Sequence, residues 1–320
     1  MFKYADYIYE IYKEKSFTAA AKNLFISQPA LSATVKKLES ELGVKLFDRQ
    51  ANPLRLTDAG EAYIKAVEDI HKIKYNFENY VLDTNDLRRG HVTVSAANFI
   101  SSFVLPKIII EFIKEYPDIQ IELVESNSTS LQELLLGEKI ELLLDYDFDE
   151  KLYTSYPLLE EHILLAVPKA LAREKNIIRD GLSTEDILWN KHLDPQFPAF
   201  NLSVLADARF LLMKLGNDMR FRGKGICQAY GIQPQNVLYL DQMMTTYNMS
   251  RSGMGVAFVP DMLVRFAPAG EDLVFFKLDN PLATRELYIG HKKHRYVSNA
   301  MGVFVKTTQE VCKVLASQHE

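Results

Sequence analysis

Cysteine is close to absent: Cys227 and Cys312 are the two that occur in 320 residues, far apart in the chain. Separated thiols build no disulfide framework and suit a reducing compartment. Long apolar runs are missing as well. The longest, "ILLAVP" at 163–168 and "GVAFVP" at 255–260, have core-strand length. They fall well short of the roughly 18–20 residues that cross a bilayer. The first residues lack a basic segment followed by an apolar one, so they do not read as a secretory signal. The expectation is a cytoplasmic protein with no membrane partner.

Catalytic signatures are lacking too. There is no G-x-S-x-G turn, no glycine-rich phosphate loop and no H-E-x-x-H. "RSGMG" (251–255) has glycines but precedes a strand pattern instead of opening a helix. "HKKH" (291–294) offers two imidazoles without further ligands, a poor metal set. Neither cysteine has a resolving neighbour for redox exchange. Trp189, like most Phe and Tyr residues, reads as core. No enzyme activity, metal or cofactor is therefore expected.

Positive charge is not in excess either, the formal net charge being −5. It is unevenly spread, with nine Lys/Arg against seven Asp/Glu through Gly60, which leaves −7 for the remainder. A mildly basic head on an acidic body places any polyanion at the head. There, Tyr4, Ile8, Ile11 and Tyr12 share one face of a helix over 4–15. "SFTAAAKNLF" (16–25) opens a second helix, with Thr18 as its candidate cap. "ISQPALSATVKKLESELG" (26–43) reads as a third, capped by Ser27, with Pro29 in its first turn and Gly43 at its end. Leu31, Val35, Leu38 and Leu42 form a single buried stripe on it, leaving Ser32, Thr34, Lys36 and Lys37 on other faces.

Two short helices joined by a tight turn are the plan of a helix-turn-helix, whose second helix enters the major groove of duplex DNA. Gln28 suits adenine, Ser32 and Thr34 suit bases or phosphates, and Lys36 and Lys37 supply phosphate charge. Thr18, Ser27, Pro29, Ala30 and Ala33 complete the candidate contact set on these helices. In "VKLFDRQANPLRLTDAGE" (44–61), short strands at Val44–Phe47 and Leu54–Thr57 surround a turn at Asn52-Pro53. Arg49 and Arg55 flank that turn, as in a wing that lays arginine along a minor groove.

With "SFTAAAKNLFISQPALSATVKKLESELGVKLFDR" and "LRLTDAGE" in view, the sequence resembles the LysR-type transcriptional regulators. The resemblance covers nearly all of 16–61 and implies that Ser16–Thr34 is the DNA-reading core. One departure is Ala33, where the family often has a basic residue.

"TDAGEAYIKAVEDIHKIKYNFENYVLDTND" (57–86) has no proline and one glycine, and reads as a long helix capped by Thr57, with Gly60 tolerated in its first turn. Tyr63, Val67, Ile70, Phe77 and Val81 approximate a three-four spacing, either packing on their own domain or forming a dimer seam. The resemblance implies the seam, and a homo-oligomer, dimer or tetramer, that brings two heads to two half-sites. Arg88, Arg89 and Gly90 close the helix.

From His91 strands and helices alternate, an α/β pattern with a parallel sheet covered on both faces. Further strands are expected at 161–168, 236–241, 255–260, 272–278 and 285–291, and a helix over 298–315. The resemblance implies a two-lobed effector domain like a periplasmic binding protein, with a small-molecule site between the lobes. Its lobes cross near Pro168 and return near Pro268. The expected domains are a winged helix-turn-helix at 1–60, a linker helix at 57–88, lobe I at 89–167 and 268–320, and lobe II at 168–267. Ligands of such sheets sit beyond the strand carboxyl ends. The candidate effector residues are therefore Asn98, Ser101, Ser102, Ser128 and Thr129, with Phe197, Asn201 and Asn217 from the second lobe. Donors at several helix starts favour an anion, although each hydroxyl also suits plain capping.

The function expected is a ligand-responsive, DNA-binding transcriptional regulator, with contact to RNA polymerase implied by family alone. A cytoplasmic small-molecule-binding protein with a protein-interaction head is the alternative, and would show negligible DNA affinity. An enzyme on the same scaffold would turn over what it binds.

Overall fold

In the computed structural model, which describes residues 2–51, 53–84, 90–125, 128–268 and 270–317, the chain forms two units, Met1–Asn85 and Asp86–Glu320. The first begins with α1 (Ala5–Glu14), α2 (Phe17–Asn23) and α3 (Gln28–Leu42). Ile8, Ile11, Ala20, Leu31, Val35 and Leu38 meet in one core and are fully buried. Each large aliphatic among them is worth about 1.5–3 kcal/mol by removal from water. Leu42, at the end of the stripe, is only half-buried.

Ser16, not Thr18, caps α2: its backbone is extended and its hydroxyl accepts from the Ala19 amide at 3.3 Å, while Thr18 already lies inside the helix. Ser27 caps α3 in the same way, accepting from Ala30 at 3.3 Å. Gly43 ends α3 at φ +72°, a left-handed position that glycine adopts without strain.

The wing strands, β1 (Phe47–Asp48) and β2 (Arg55–Leu56), are shorter than expected. One backbone bond, from the Thr57 amide to the Leu46 carbonyl at 3.0 Å, continues the ladder, and side chains supplement it. The Thr57 hydroxyl donates to the Lys45 carbonyl at 2.6 Å, and the Leu46 and Phe47 amides donate to Glu39. α4 (Asp58–Thr84) follows, its Gly60 amide donating to the Thr57 hydroxyl at 3.0 Å. A Cβ at Gly60 would lie 2.0 Å from the Leu46 carbonyl oxygen, so glycine is required there rather than tolerated.

The second unit opens with β3 (Gly90–Ala96), α5 (Asn98–Phe103), α6 (Leu105–Glu115), β4 (Ile119–Glu125), α7 (Ser128–Leu136) and β5 (Leu142–Asp145). Then come β6 (Tyr153–Pro168), α8 (Lys169–Glu174), α9 (Thr184–Leu188), β7 (Phe210–Met213), α10 (Asp218–Ala229) and β8 (Val237–Leu240). The chain closes with α11 (Met243–Arg251), β9 (Val256–Pro260), α12 (Asp261–Phe266), β10 (Leu273–Phe276), β11 (Thr284–Lys292) and α13 (Asn299–Ser317). Among the described residues the sheet order is β4-β3-β5-β11-β6-β9-β7-β8, with β10 also on β6.

This sheet is mixed, not parallel throughout. β3 pairs in parallel with β4 and β5, and β7 with β8 and β9, but β6, β10 and β11 run antiparallel to their neighbours. The reason is that β6 and β11 carry the chain between lobes. β6 pairs with β11 as far as His162 and with β9 from Ile163, so the crossing lies there and not near Pro168. Pro168 instead ends β6 inside lobe II, opposite Leu273 of β10. The return falls between Phe276 and Thr284, past the expected Pro268. β7, the short run "FLLM", is a strand the sequence reading omitted. Trp189, expected in the core, is 77% exposed where α9 ends. The expected boundary at 88 and 89, with Arg88 and Arg89, lies outside the described residues.

Candidate nucleic-acid interface and inter-lobe cleft

On α3 the side away from the core carries Gln28, Pro29, Ala30, Ala33, Lys36 and Lys37, all exposed. Ser27 closes its start: its hydroxyl takes the Ala30 amide and its carbonyl the Leu31 amide, and Pro29 has no N–H, so Gln28 alone brings a first-turn amide to a phosphate. The Thr34 hydroxyl donates to the Ala30 carbonyl at 3.0 Å, so toward a base it retains acceptor capacity only. Thr18 is exposed on α2.

Arg49 is not a loose wing residue. Its guanidinium lies 4.9 Å from the centre of the Phe17 ring, donates to the Ser32 hydroxyl at 3.3 Å and reaches the Glu39 carboxylate at 3.2 Å. The sequence reading missed Glu39, which is 2% exposed and sits on α3 four residues after Val35, on the buried stripe. That misplaced charge was the available signal. Glu39 accepts from the Leu46 amide at 2.9 Å and lies 3.6 Å from Lys45 Nζ. One carboxylate thereby ties the wing to the candidate reading helix, and Arg49 brings a cation beside Ser32 where Ala33 offers none. Arg55 is exposed on β2.

Along α4, Tyr63 and Val67 belong to the head's own core, with 6% and 0% exposure. Ile70 is half-buried. Ile73, Phe77 and Val81 are 70%, 65% and 40% exposed, an apolar stripe beyond that core.

In the second unit, β3 and β4 end side by side, Ala96 opposite Glu125. The Ser101 hydroxyl is buried and donates to the Ala96 carbonyl at 2.9 Å, so it holds the chain turn. Ser102 is exposed. The side chains of Asn98, Ser128 and Thr129 lie outside the described residues. Asn201 and Asn217 act as caps, accepting from Ser203 at 3.1 Å and Met219 at 3.0 Å. Phe197 is half-buried, with Lys191 Nζ 5.7 Å from its ring centre. Among the described residues no hydrogen bond joins Ser101 to these three.

Charged groups missed in the sequence lie at the junction of the lobes. Arg285 on β11 donates to Glu161 on β6 at 2.8 Å and to Asp218 at the start of α10 at 2.8 Å. Its guanidinium stacks 3.5 Å from the centre of the Tyr146 ring. Arg222 closes the group, donating to Asp218 at 2.8 Å and to the Thr284 carbonyl at 2.9 Å. Burial raises the Glu161 carboxyl above its ordinary value against the pull of Arg285. Burial raises Asp145 as well, opposed by the Gln132 amide and the Tyr146 backbone and reinforced by Asp218. Cys227 and Cys312 are both buried, and burial pushes each thiol up to about 12, which leaves them unreactive.

Comparison with known proteins bears on both units. The family model described as bacterial regulatory helix-turn-helix protein, lysR family, matches residues 2–61. The LysR substrate binding domain model matches 85–200 and 190–313. YcgK, a helix-turn-helix transcriptional regulator of Bacillus subtilis (strain 168), is 26% identical over 312 residues, 97% of this chain and 94% of its own. A probable RuBisCO transcriptional regulator of Trieres chinensis is 32% identical over 180 residues, 53% of this chain and 57% of its own. In fold, CbnR, a LysR family transcriptional regulator, superposes with TM-score 0.65 at 17% identity, covering 98% of this chain and 99% of that one. HinK of Pseudomonas aeruginosa superposes at 0.54 with 18% identity, covering 97% and 98%. Among the described residues no helix is long and apolar enough to cross a membrane.

Proposed function

The chain belongs to the LysR family of DNA-binding transcriptional regulators with a substrate-binding effector domain, and we propose that it acts in the cytoplasm as a homo-oligomer whose two heads read two half-sites of duplex DNA. The observation that carries this reading is the exposed side of α3, capped by Ser27, bearing Gln28 at its start and Lys36 and Lys37 in its third turn, and flanked by Arg49 on Ser32. Gln28 reads base edges, and the lysines bind phosphates. A second copy covers the exposed stripe of Ile73, Phe77 and Val81, since Tyr63 and Val67 already serve the head.

A small molecule between the lobes shifts the population of lobe arrangements, and with it the spacing of the heads. Of the groups first expected to hold an anion, Asn201 and Asn217 are engaged as caps and Ser101 holds a turn, and Asp145, Glu161 and Asp218 set negative charge beside Arg222 and Arg285. The reading therefore rests on a polar effector of either sign. Contact with RNA polymerase and the lack of any catalytic role follow the family's regulatory character.

Footprinting of the purified protein on DNA upstream of its own gene, across a salt series, tests the reading. Protection of two half-sites that weakens steeply with salt is the expected result. Absence of protection at low salt, with and without a panel of polar metabolites that raise the melting temperature, favours an interaction head instead.

A further inference from the structure

His162, His192 and Asp261 come together from three separate segments, their ligand atoms all within 4.8 Å of one another. His162 is the last β6 residue paired with β11, and Asp261 follows the Pro260 that pairs with Ile163. The cluster therefore sits where the shared strand leaves one lobe for the other. His192 Nε2 is 3.0 Å and His162 Nδ1 3.9 Å from the same carboxylate oxygen, Asp261 Oδ2. The other oxygen, Oδ1, accepts from the His162 amide at 3.1 Å and the Met262 amide at 2.8 Å. Those two bonds fix the carboxylate so that Oδ2 faces both rings.

The surroundings of His162 match what a metal-binding histidine needs. Glu160 Oε1 lies 3.2 Å from His162 Nε2, so it holds the proton there and leaves the Nδ1 lone pair facing Asp261. A carboxylate behind a histidine is the usual outer support of a metal ligand. The His192 side chain is 1% exposed, and its Nδ1 is buried with no hydrogen-bond partner among the described residues. When Nε2 carries the proton, Nδ1 is an unpaired acceptor; when Nε2 binds a metal, Nδ1 is an unpaired donor. The cost at that atom is similar in both states, so it does not oppose loading. His162 is 29% exposed and gives the route of entry. The opposing group is Arg265, whose Nη2 is 3.8 Å from Asp261 Oδ2 and which also bonds the Asn190 side-chain oxygen.

We infer that this cluster is a site for a divalent first-row transition metal such as Zn²⁺, at the hinge between the lobes. Two imidazoles and one carboxylate form a borderline-soft set that suits Zn²⁺, with water completing the shell from the partly exposed His162 side. Mg²⁺ and Ca²⁺ require all-oxygen shells and do not compete. The bound ion links β6, the start of α12 and the turn at His192, so it stabilises one arrangement of the crossing.

The test is equilibrium dialysis of the full-length, metal-stripped protein against Zn²⁺, together with the visible spectrum of the Co²⁺ form. The expected result is one tight equivalent per chain, with the intense bands of low-coordinate Co²⁺. His162→Gln removes that equivalent and leaves any uptake by the other surface histidines in place. Glu160→Gln weakens it by about 10–100-fold. Arg265→Gln tightens it, an outcome that a purely structural ion-pair cluster has no means to produce. Equal uptake by wild type and His162→Gln, or no uptake by a folded wild-type protein, overturns the site.

Discussion

On the head, Gln28, Lys36 and Lys37 stand in solvent along a single helix, whereas in the effector unit Arg285 is 7% exposed and pairs with Glu161, 124 residues away in the chain. Exposed charges add little to folding and remain available to a polyanion. A buried pair is committed to the fold, because either member alone is left in a low-dielectric interior. Charged side chains thus serve the proposed recognition in one unit and architecture in the other. Substitutions on the α3 surface should register in binding with stability intact, and those at the lobe junction in stability first.

The largest effect is expected for Arg285→Met. It leaves Glu161, with 0% exposure, without its cation, and Asp218 without one of its two arginine partners. A loss of about 3–5 kcal/mol in urea unfolding of the effector unit follows. A loss nearer the roughly 1 kcal/mol of a surface pair would show that the junction is solvated and would break the contrast between units.

Gly60→Ala sharpens the comparison from the other side, because the head has a buried requirement of its own. With a Cβ at 2.0 Å from the Leu46 carbonyl oxygen, the start of α4 must move away from the wing. A cost of about 1–3 kcal/mol is expected in thermal unfolding of the head. DNA affinity falls with it, since the Leu46 amide is one of the two that Glu39 holds. Ser27→Ala comes next: loss of the α3 cap costs about 1 kcal/mol and removes a group from the end of the helix proposed to face DNA, so melting and gel-shift measurements should both change.

What was legible in the sequence follows the same division. α3 was readable because its cap, its stripe and its terminal glycine are all local, three or four residues apart. The shortened wing was not, because side-chain bonds from Thr57 and Glu39 take up part of what strand pairing would supply, and pattern rules count backbone partners only. In the effector unit the alternation of strands and helices gave an α/β class but a wholly parallel sheet, and the two lobes came from the family resemblance. The crossing at His162 was misplaced because prolines mark where strands end, not where sheets exchange. Glu161 with Arg285, and His192 with Asp261 at 69 residues' separation, have no spacing that a linear reading detects.

The smallest effects on stability separate three cations of the head. Lys36→Ala and Lys37→Ala should leave stability within about 0.5 kcal/mol, as for other exposed sites. Each should lower the slope of log affinity against log salt by about 0.9 if it neutralises one phosphate. Arg49→Ala should behave differently, because Glu39 lies 3.2 Å from its guanidinium and already offsets part of its charge. Its removal leaves Glu39 with Lys45 alone, 3.6 Å away and 71% exposed, so the head loses more stability than with either lysine change. The salt slope should fall by less than with either lysine, while affinity drops at all salts as Ser32 loses its partner. A larger slope change for Arg49 than for Lys36 or Lys37 would mean that the arginine leaves Glu39 for the phosphates on binding. The wing would then be a moving contact, and buried charge in the head would no longer be purely architectural.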